Sequence, residues 1–195
     1  MIIGLTGMSG SGKSTVSEIL QSFKFNVIDC DKKAQQVIRS EKCEQSVKVV
    51  FPEIYVDGQF DRKKAAEFLF SDPEKLVQYQ KIVFPYIVYD VLNTIKEIKE
   101  SSPKFPIVLD AATLFQSKAD DFCDKIIAVV ADKKTCLDRI IKRDNITEKA
   151  ALMRLHNQPD EKFFCAKADY TIKNNSTLEE LEKQVLKVCL LKGQG

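Results

Sequence analysis

Histidine is nearly missing from this chain, and its cysteines are never paired. One histidine, His156, stands among 195 residues. The six cysteines (Cys30, Cys43, Cys123, Cys136, Cys165 and Cys189) nowhere form a Cys-x-x-Cys pair. That combination removes the usual zinc-ligand spacings and offers no disulfide framework. The thiols read as reduced, so a cytoplasmic location is expected. No apolar run approaches the roughly 18 residues that cross a bilayer, and no membrane partner is expected. The first residues carry neither a basic stretch nor a small-residue cleavage site, so no secretion signal is expected. An excess of charge of one sign is missing too. Thirty basic residues against 28 acidic ones leave a net charge of +2. Without a long basic run or an acidic tail, nucleic acid is not an expected partner. Internal repeats and low-complexity tracts are also absent.

Hydrophobic residues make up 44% of the chain. That is enough for a substantial core in about one to one and a half domain units. The most informative segment is Gly7-Met8-Ser9-Gly10-Ser11-Gly12-Lys13-Ser14. Four residues separate the first glycine from Gly-Lys-Ser, the phosphate-loop pattern. Glycines let consecutive backbone N–H groups turn inward around an anion without Cβ clashes. Lys13 would reach the outer phosphates of a nucleotide, and the Ser14 hydroxyl would sit on Mg²⁺. Residues 1–6 read as a buried strand. Residues 13–23 read as a helix, with Val16, Ile19, Leu20 and Phe23 at helical spacing. Strand, glycine loop and helix form the context that the motif requires, with the helix aiming its positive end at the phosphates. A chance glycine turn would not carry those flanks.

Further strands are expected at residues 25–29, 105–110, 125–130 and 169–172. Helices are expected at 133–143, 147–157 and 177–191. Thr177 is a plausible cap for the last helix, ahead of Glu179 and Glu180. This alternation predicts an α/β fold, a five-stranded parallel sheet flanked by helices. Residues 32–102 break the rhythm. They are helical in pattern and longer than a crossover needs, so they read as a helical substrate-binding insertion or as extra structural helices. Pro73 is expected to open a long helix, and Pro85 to kink or divide it.

Three places offer chemistry besides the loop. Ile107-Val108-Leu109-Asp110 is an apolar strand ending in a carboxylate, the Walker B form, in which Asp110 holds Mg²⁺. Val27-Ile28-Asp29-Cys30-Asp31 places two carboxylates where the ligand crevice of a parallel sheet lies. One of them could take a proton from an attacking hydroxyl, or Asp31 could cap the next helix. Arg139 and Arg143 lie four apart on one helix face, suited to clamping a transferring phosphoryl group. Arg143-Asp144 reads equally well as a solvated pair, and Arg154 shares that ambiguity. His156 carries little information. Cys30, between two aspartates, reads as structural because neighbouring carboxylates raise a thiol's pKa.

Together these segments resemble the dephospho-coenzyme A kinase family over essentially the whole chain. Residues Ile2 to Thr15 match its opening, including Gly10, Ser11, Gly12, Lys13, Ser14 and Thr15 as nucleotide-binding positions. Val27 to Asp31 is similar to its second-strand motif. Tyr55-Val56-Asp57-Gly58-Gln59-Phe60-Asp61-Arg62 and Phe70-Ser71-Asp72-Pro73 are similar to a signature of its substrate module. Leu137-Asp138-Arg139, Arg143-Asp144, Arg154-Leu155-His156-Asn157-Gln158 and Ala168 to Asn174 fit its later blocks.

The resemblance implies a P-loop kinase fold with a small lid. The nucleotide-binding core would be residues 1–31 and 103–195, the lid approximately 139–167, and the acceptor module 32–102. It implies ATP and Mg²⁺ as cofactors and dephospho-CoA as the small-molecule partner. A monomer or weak homo-oligomer is expected. The reaction implied is transfer of the γ-phosphate to the ribose 3′-hydroxyl. Lys13, Asp31 and Arg139 would be catalytic, with Asp31 the preferred base. Asn174, with Asn175 and Ser176, would lie near the adenine. Three positions depart from the family pattern. Phe84-Pro85 stands for His-Pro. Asp110-Ala111-Ala112-Thr113-Leu114-Phe115-Gln116 lacks the usual proline and glutamate. Asn175-Ser176 replaces a glycine step. The parts needed for chemistry remain, so activity is expected. Another small-molecule kinase is the competing enzyme reading. A regulatory switch is the competing class, although no Asn/Thr-Lys-x-Asp base-recognition motif is present.

Overall fold

The computed structural model describes residues 1–190, without the side chains of Phe70 and Leu190. The last residue of the expected C-terminal helix, Leu191, lies outside the described residues, as do 192–195. The chain divides into two compact units. One comprises Met1–Asp29 and the chain from Ile98 on; the other is Cys30–Glu97.

The first unit is built on a five-stranded parallel sheet. Its strands are β1 (Ile2–Gly7), β2 (Asn26–Asp29), β5 (Ile107–Asp110), β6 (Lys125–Val130) and β7 (Tyr170–Lys173). Their spatial order is β2-β5-β1-β6-β7. The register places Leu5 beside both Asp110 and Ile127, so β1 occupies the middle of the sheet. Both faces of a parallel sheet are buried, which explains the unbroken apolar runs of β1, β5 and β6. Helices α1 (Lys13–Ser22) and α9 (Leu178–Leu190) cover one layer. There Val16, Leu20, Leu181 and Val185 pack with Leu5, Val108 and Ile172 in one core cluster. The Thr177 hydroxyl accepts from the Glu180 N–H at 3.4 Å, as expected of a cap.

Helices α6 (Lys133–Asp144), α7 (Glu148–His156) and α8 (Glu161–Lys167) stand between β6 and β7. Cys136, Ile140, Ala151 and Leu155 form their shared core. The expected strand and helix positions agree with the structure to within a residue or two. Helix α8 is an addition to them. Like α6 and α7, it is started by an aspartate or threonine cap, with Asp160 accepting from the Phe163 N–H at 2.9 Å.

The second unit contains α2 (Cys30–Ile38), α3 (Glu41–Val50), α4 (Arg62–Phe70) and most of α5 (Pro73–Ser101). It also contains a hairpin, β3 (Tyr55–Val56) with β4 (Gln59–Phe60), that the helical reading of this stretch misses. Asp57 and Gly58 turn it, both with positive φ (49° and 79°), the requirement of a tight two-residue hairpin. The expected opening of α5 at Pro73 is observed. The division expected at Pro85 is not, since α5 is one helix of 29 residues through it. Pro85 and Lys81, whose carbonyl loses its helical partner, are both exposed, which lets water take that place, while Val83, Val91 and Ile95 anchor the helix on either side. The sequence pattern puts Asp31 at a strand end in the core. It lies instead in the first turn of α2, within the second unit, because β2 stops at Asp29 and Cys30 already begins the helix. It is therefore not the residue that caps α2.

Candidate active site

The loop between β1 and α1 is locked from several directions. Met8 donates its N–H to the Val129 carbonyl at 3.2 Å, and its side chain packs against the cluster shared by α6 and α7. Ser11 donates back to the Met8 carbonyl at 3.1 Å, closing a turn. Ser9 donates its N–H to the Gln158 side-chain oxygen at 2.8 Å. Asn174, only 6% exposed, donates its Nδ2 to the Ser11 carbonyl at 2.8 Å. Arg139 Nη1 reaches the carbonyls of Ser11 and Gly10 at 3.2 and 3.4 Å. A trans peptide points its N–H opposite to its C=O. Fixing the Ser11 carbonyl on Asn174 and Arg139 therefore also fixes the direction of the Gly12 N–H.

Two glycines of the loop have no substitute. Gly12 has φ +92°, and a Cβ there would lie 2.1 Å from Asn174 Nδ2. Gly10 has φ +79°, and a Cβ there would lie 2.5 Å from the Cys136 carbonyl oxygen. The loop is thus a close-walled backbone cradle of the kind that binds phosphate. Lys13 opens α1 and makes an ion pair with Asp110, both side chains being largely buried. Ser14, one residue further along α1, is exposed. The donor set suits the expected ligands. Ser14 and Asp110 supply the hard oxygens that Mg²⁺ takes, and the cradle with Lys13 suits a polyphosphate. Thr15 follows in the same helix turn.

The structure separates the expected arginines. Arg139 is at the loop, but Arg143 is not. Its Nε and Nη2 donate to the two carboxylate oxygens of Asp144 at 2.8 and 2.9 Å, and Arg154 pairs with the same carboxylate. The Arg143 guanidinium, followed by that of Arg154, holds the Asp144 carboxyl well below its usual range, at about 2. The solvated-pair reading is the one observed. Asn174, expected near an adenine, has its amide committed to the Ser11 carbonyl, while Asn175 accepts from the Asp132 N–H at 2.8 Å. Sequence reasoning misses Gln158 and Met8 as loop anchors. Gln158 stands in a block that resembles the family, but nothing in its spacing points at Ser9.

The model of the family described as dephospho-CoA kinase matches residues 1–180. The chain belongs to the dephospho-CoA kinase family. A relative from Fusobacterium nucleatum named dephospho-CoA kinase is 40% identical over 191 residues, 97% of each chain. A Thermus thermophilus crystal structure superposes with a TM-score of 0.88 at 30% identity, covering 100% of this chain and 98% of that one. The dephospho-CoA kinase of Campylobacter jejuni has the same fold, with a TM-score of 0.70 at 24% identity and coverage of 100% and 98%.

Proposed function

We propose that this chain transfers the γ-phosphate of ATP to the ribose 3′-hydroxyl of dephospho-CoA, giving coenzyme A and ADP in the cytoplasm. The observation that carries the reading is the cradle around Gly10, Gly12 and Lys13, in a chain that the family model matches almost throughout. The N–H groups of the loop and Lys13 hold the polyphosphate. Ser14 and Asp110 would hold Mg²⁺, which when bound neutralises charge on the phosphate oxygens. On binding, Lys13 exchanges Asp110 for phosphate.

Asp31 accepts the proton as the acceptor's O–H bond breaks. The freed oxygen forms its bond to the γ-phosphorus, and the bond from that phosphorus to the bridging oxygen breaks to release ADP. Arg139, already beside the loop, steadies the charge that spreads over the equatorial oxygens. The lid, approximately residues 139–167, would close its arginines over the γ-phosphate and exclude water, which limits hydrolysis.

The test is acceptor-dependent ADP release with ATP, Mg²⁺ and dephospho-CoA, beside nucleoside, shikimate and gluconate controls. Turnover with dephospho-CoA alone is expected. Lys13→Ala and Asp31→Asn should each lower turnover about a hundred-fold or more while circular dichroism is unchanged. Normal turnover by folded Asp31→Asn would remove the base assignment, and turnover with another acceptor would reassign the enzyme.

A further inference from the structure

Unpaired buried polar atoms gather at the loop between β1 and α1. Among the described residues, the buried side-chain atoms without a hydrogen-bond partner are Thr6 Oγ1, Ser11 Oγ, Asn26 Nδ2 and Gln158 Nε2. Thr6 immediately precedes the loop, Ser11 is in it, and Gln158 is bonded to it. Asn26, the first residue of β2, lies at the other end of the parallel sheet. Buried polar atoms are nearly always paired, so each exception needs a reason.

At the loop the Gln158 nitrogen is the most demanding of these atoms. A hydroxyl can turn its hydrogen or act as an acceptor, whereas an amide nitrogen only donates, through two N–H groups. It is also held in place. Oε1 of the same planar group accepts from the Ser9 N–H at 2.8 Å, so the nitrogen stands beside the Ser9 backbone. Gln158 lies in the short link between α7, whose end is closed by the Asn157 N–H on the Met153 carbonyl, and α8, which Asp160 caps. Leu155 of α7 and Phe164 of α8 are buried in two clusters that both take in Met8, the loop residue before Ser9. The link is therefore fastened to the loop from both sides.

The Ser9 N–H is spent on Gln158, and the amide offers its own N–H groups in exchange. In a phosphate loop the N–H groups at the helix start serve the inner phosphates. Ser9 lies on the other limb, where α6 also brings Arg139 to the carbonyls of Gly10 and Ser11. A donor on that limb suits the phosphate furthest from the nucleoside. The terminal torsion of glutamine is broad, so a modest turn offers the nitrogen to an oxygen while Oε1 stays near Ser9. We propose that Gln158 is a phosphate-binding residue: Oε1 braces Ser9, and Nε2 donates to an oxygen of the terminal phosphate of ATP. The proposal rests on the ATP reading above.

Calorimetric titration of ATP and of ADP, each with Mg²⁺, into wild type, Gln158→Met, Gln158→Leu and Gln158→Glu tests it, with melting temperatures to show which variants are folded. Met and Leu remove donor and acceptor without adding charge; Glu keeps the acceptor for Ser9 and removes the donor. Every folded variant should lose about ten-fold more affinity for ATP than for ADP. Equal losses for the two nucleotides would overturn the proposal, because Gln158 would then act only through Ser9. So would wild-type ATP affinity in the folded variants. A selective loss confined to Gln158→Glu would overturn it too, since repulsion by the new carboxylate accounts for that. Binding of neither nucleotide by the wild-type chain would overturn the functional reading instead.

Discussion

A single methyl group is enough to test the loop. Gly12→Ala puts a Cβ at a φ that L-residues avoid and drives it against the Asn174 amide that braces Ser11. Both effects spoil the same cradle. The variant is therefore expected to fold, since the sheet core lies elsewhere, but to raise KM for ATP by about ten-fold or more. Nucleotide titration by calorimetry checks this, and ATP affinity equal to wild type would show that the brace is dispensable. Lys13, Ser14 and Asp110 can be read from the chain because their chemistry depends on residue type at fixed spacing. The Gln158–Ser9 and Asn174–Ser11 bonds cannot, because each joins residues far apart in the sequence through a generic amide. Arg139 and Arg143 look equivalent because both offer the same guanidinium on one helix face, and a neighbouring Asp144 does not by itself show whether the pair forms. Only the placement of Asp144 decides which guanidinium is committed elsewhere.

Caps and turns decide the elements. Asp61 satisfies two of the unpaired N–H groups at the start of α4, so Asp61→Ala should cost about 1 kcal/mol of stability. Urea unfolding measures this, and an unchanged midpoint would argue that water replaces the cap without loss. The strands of the sheet are legible because buried parallel strands are short apolar runs between turn signals. The β3–β4 hairpin is not, because two-residue strands carry too few positions to show alternation. Its Asp57-Gly58 turn is the available signal. Pro85 misleads for a definable reason. Proline disrupts a helix by leaving a carbonyl without its partner, and an exposed position lets water take that place.

Across the whole molecule, acid is the natural stress. Asp132 lies below its ordinary pKa because the Thr135 N–H and hydroxyl donate to it, and Asp144 is held at about 2 by its two arginines. A depressed carboxylate stabilises the fold above its unfolded pKa, near 4, and that contribution vanishes as pH falls through the folded value. The melting temperature should therefore stay level through neutral pH and fall between about pH 4 and 2. Asp144→Asn should show a shallower fall over that window, and added salt should narrow the difference. Identical acid slopes for the two proteins would refute the link.

The bond between Asn174 and Ser11 spans 163 positions of sequence. A ribosome makes the loop long before its brace. Until β7 has emerged and taken its place beside β6, the Ser11 carbonyl has Arg139 but no Asn174 to hold it, and the Gly12 N–H is less firmly directed. Full capacity to hold nucleotide is thus acquired only once β7 is in place, long after the loop itself is made, and ATP favours chains that have reached that point.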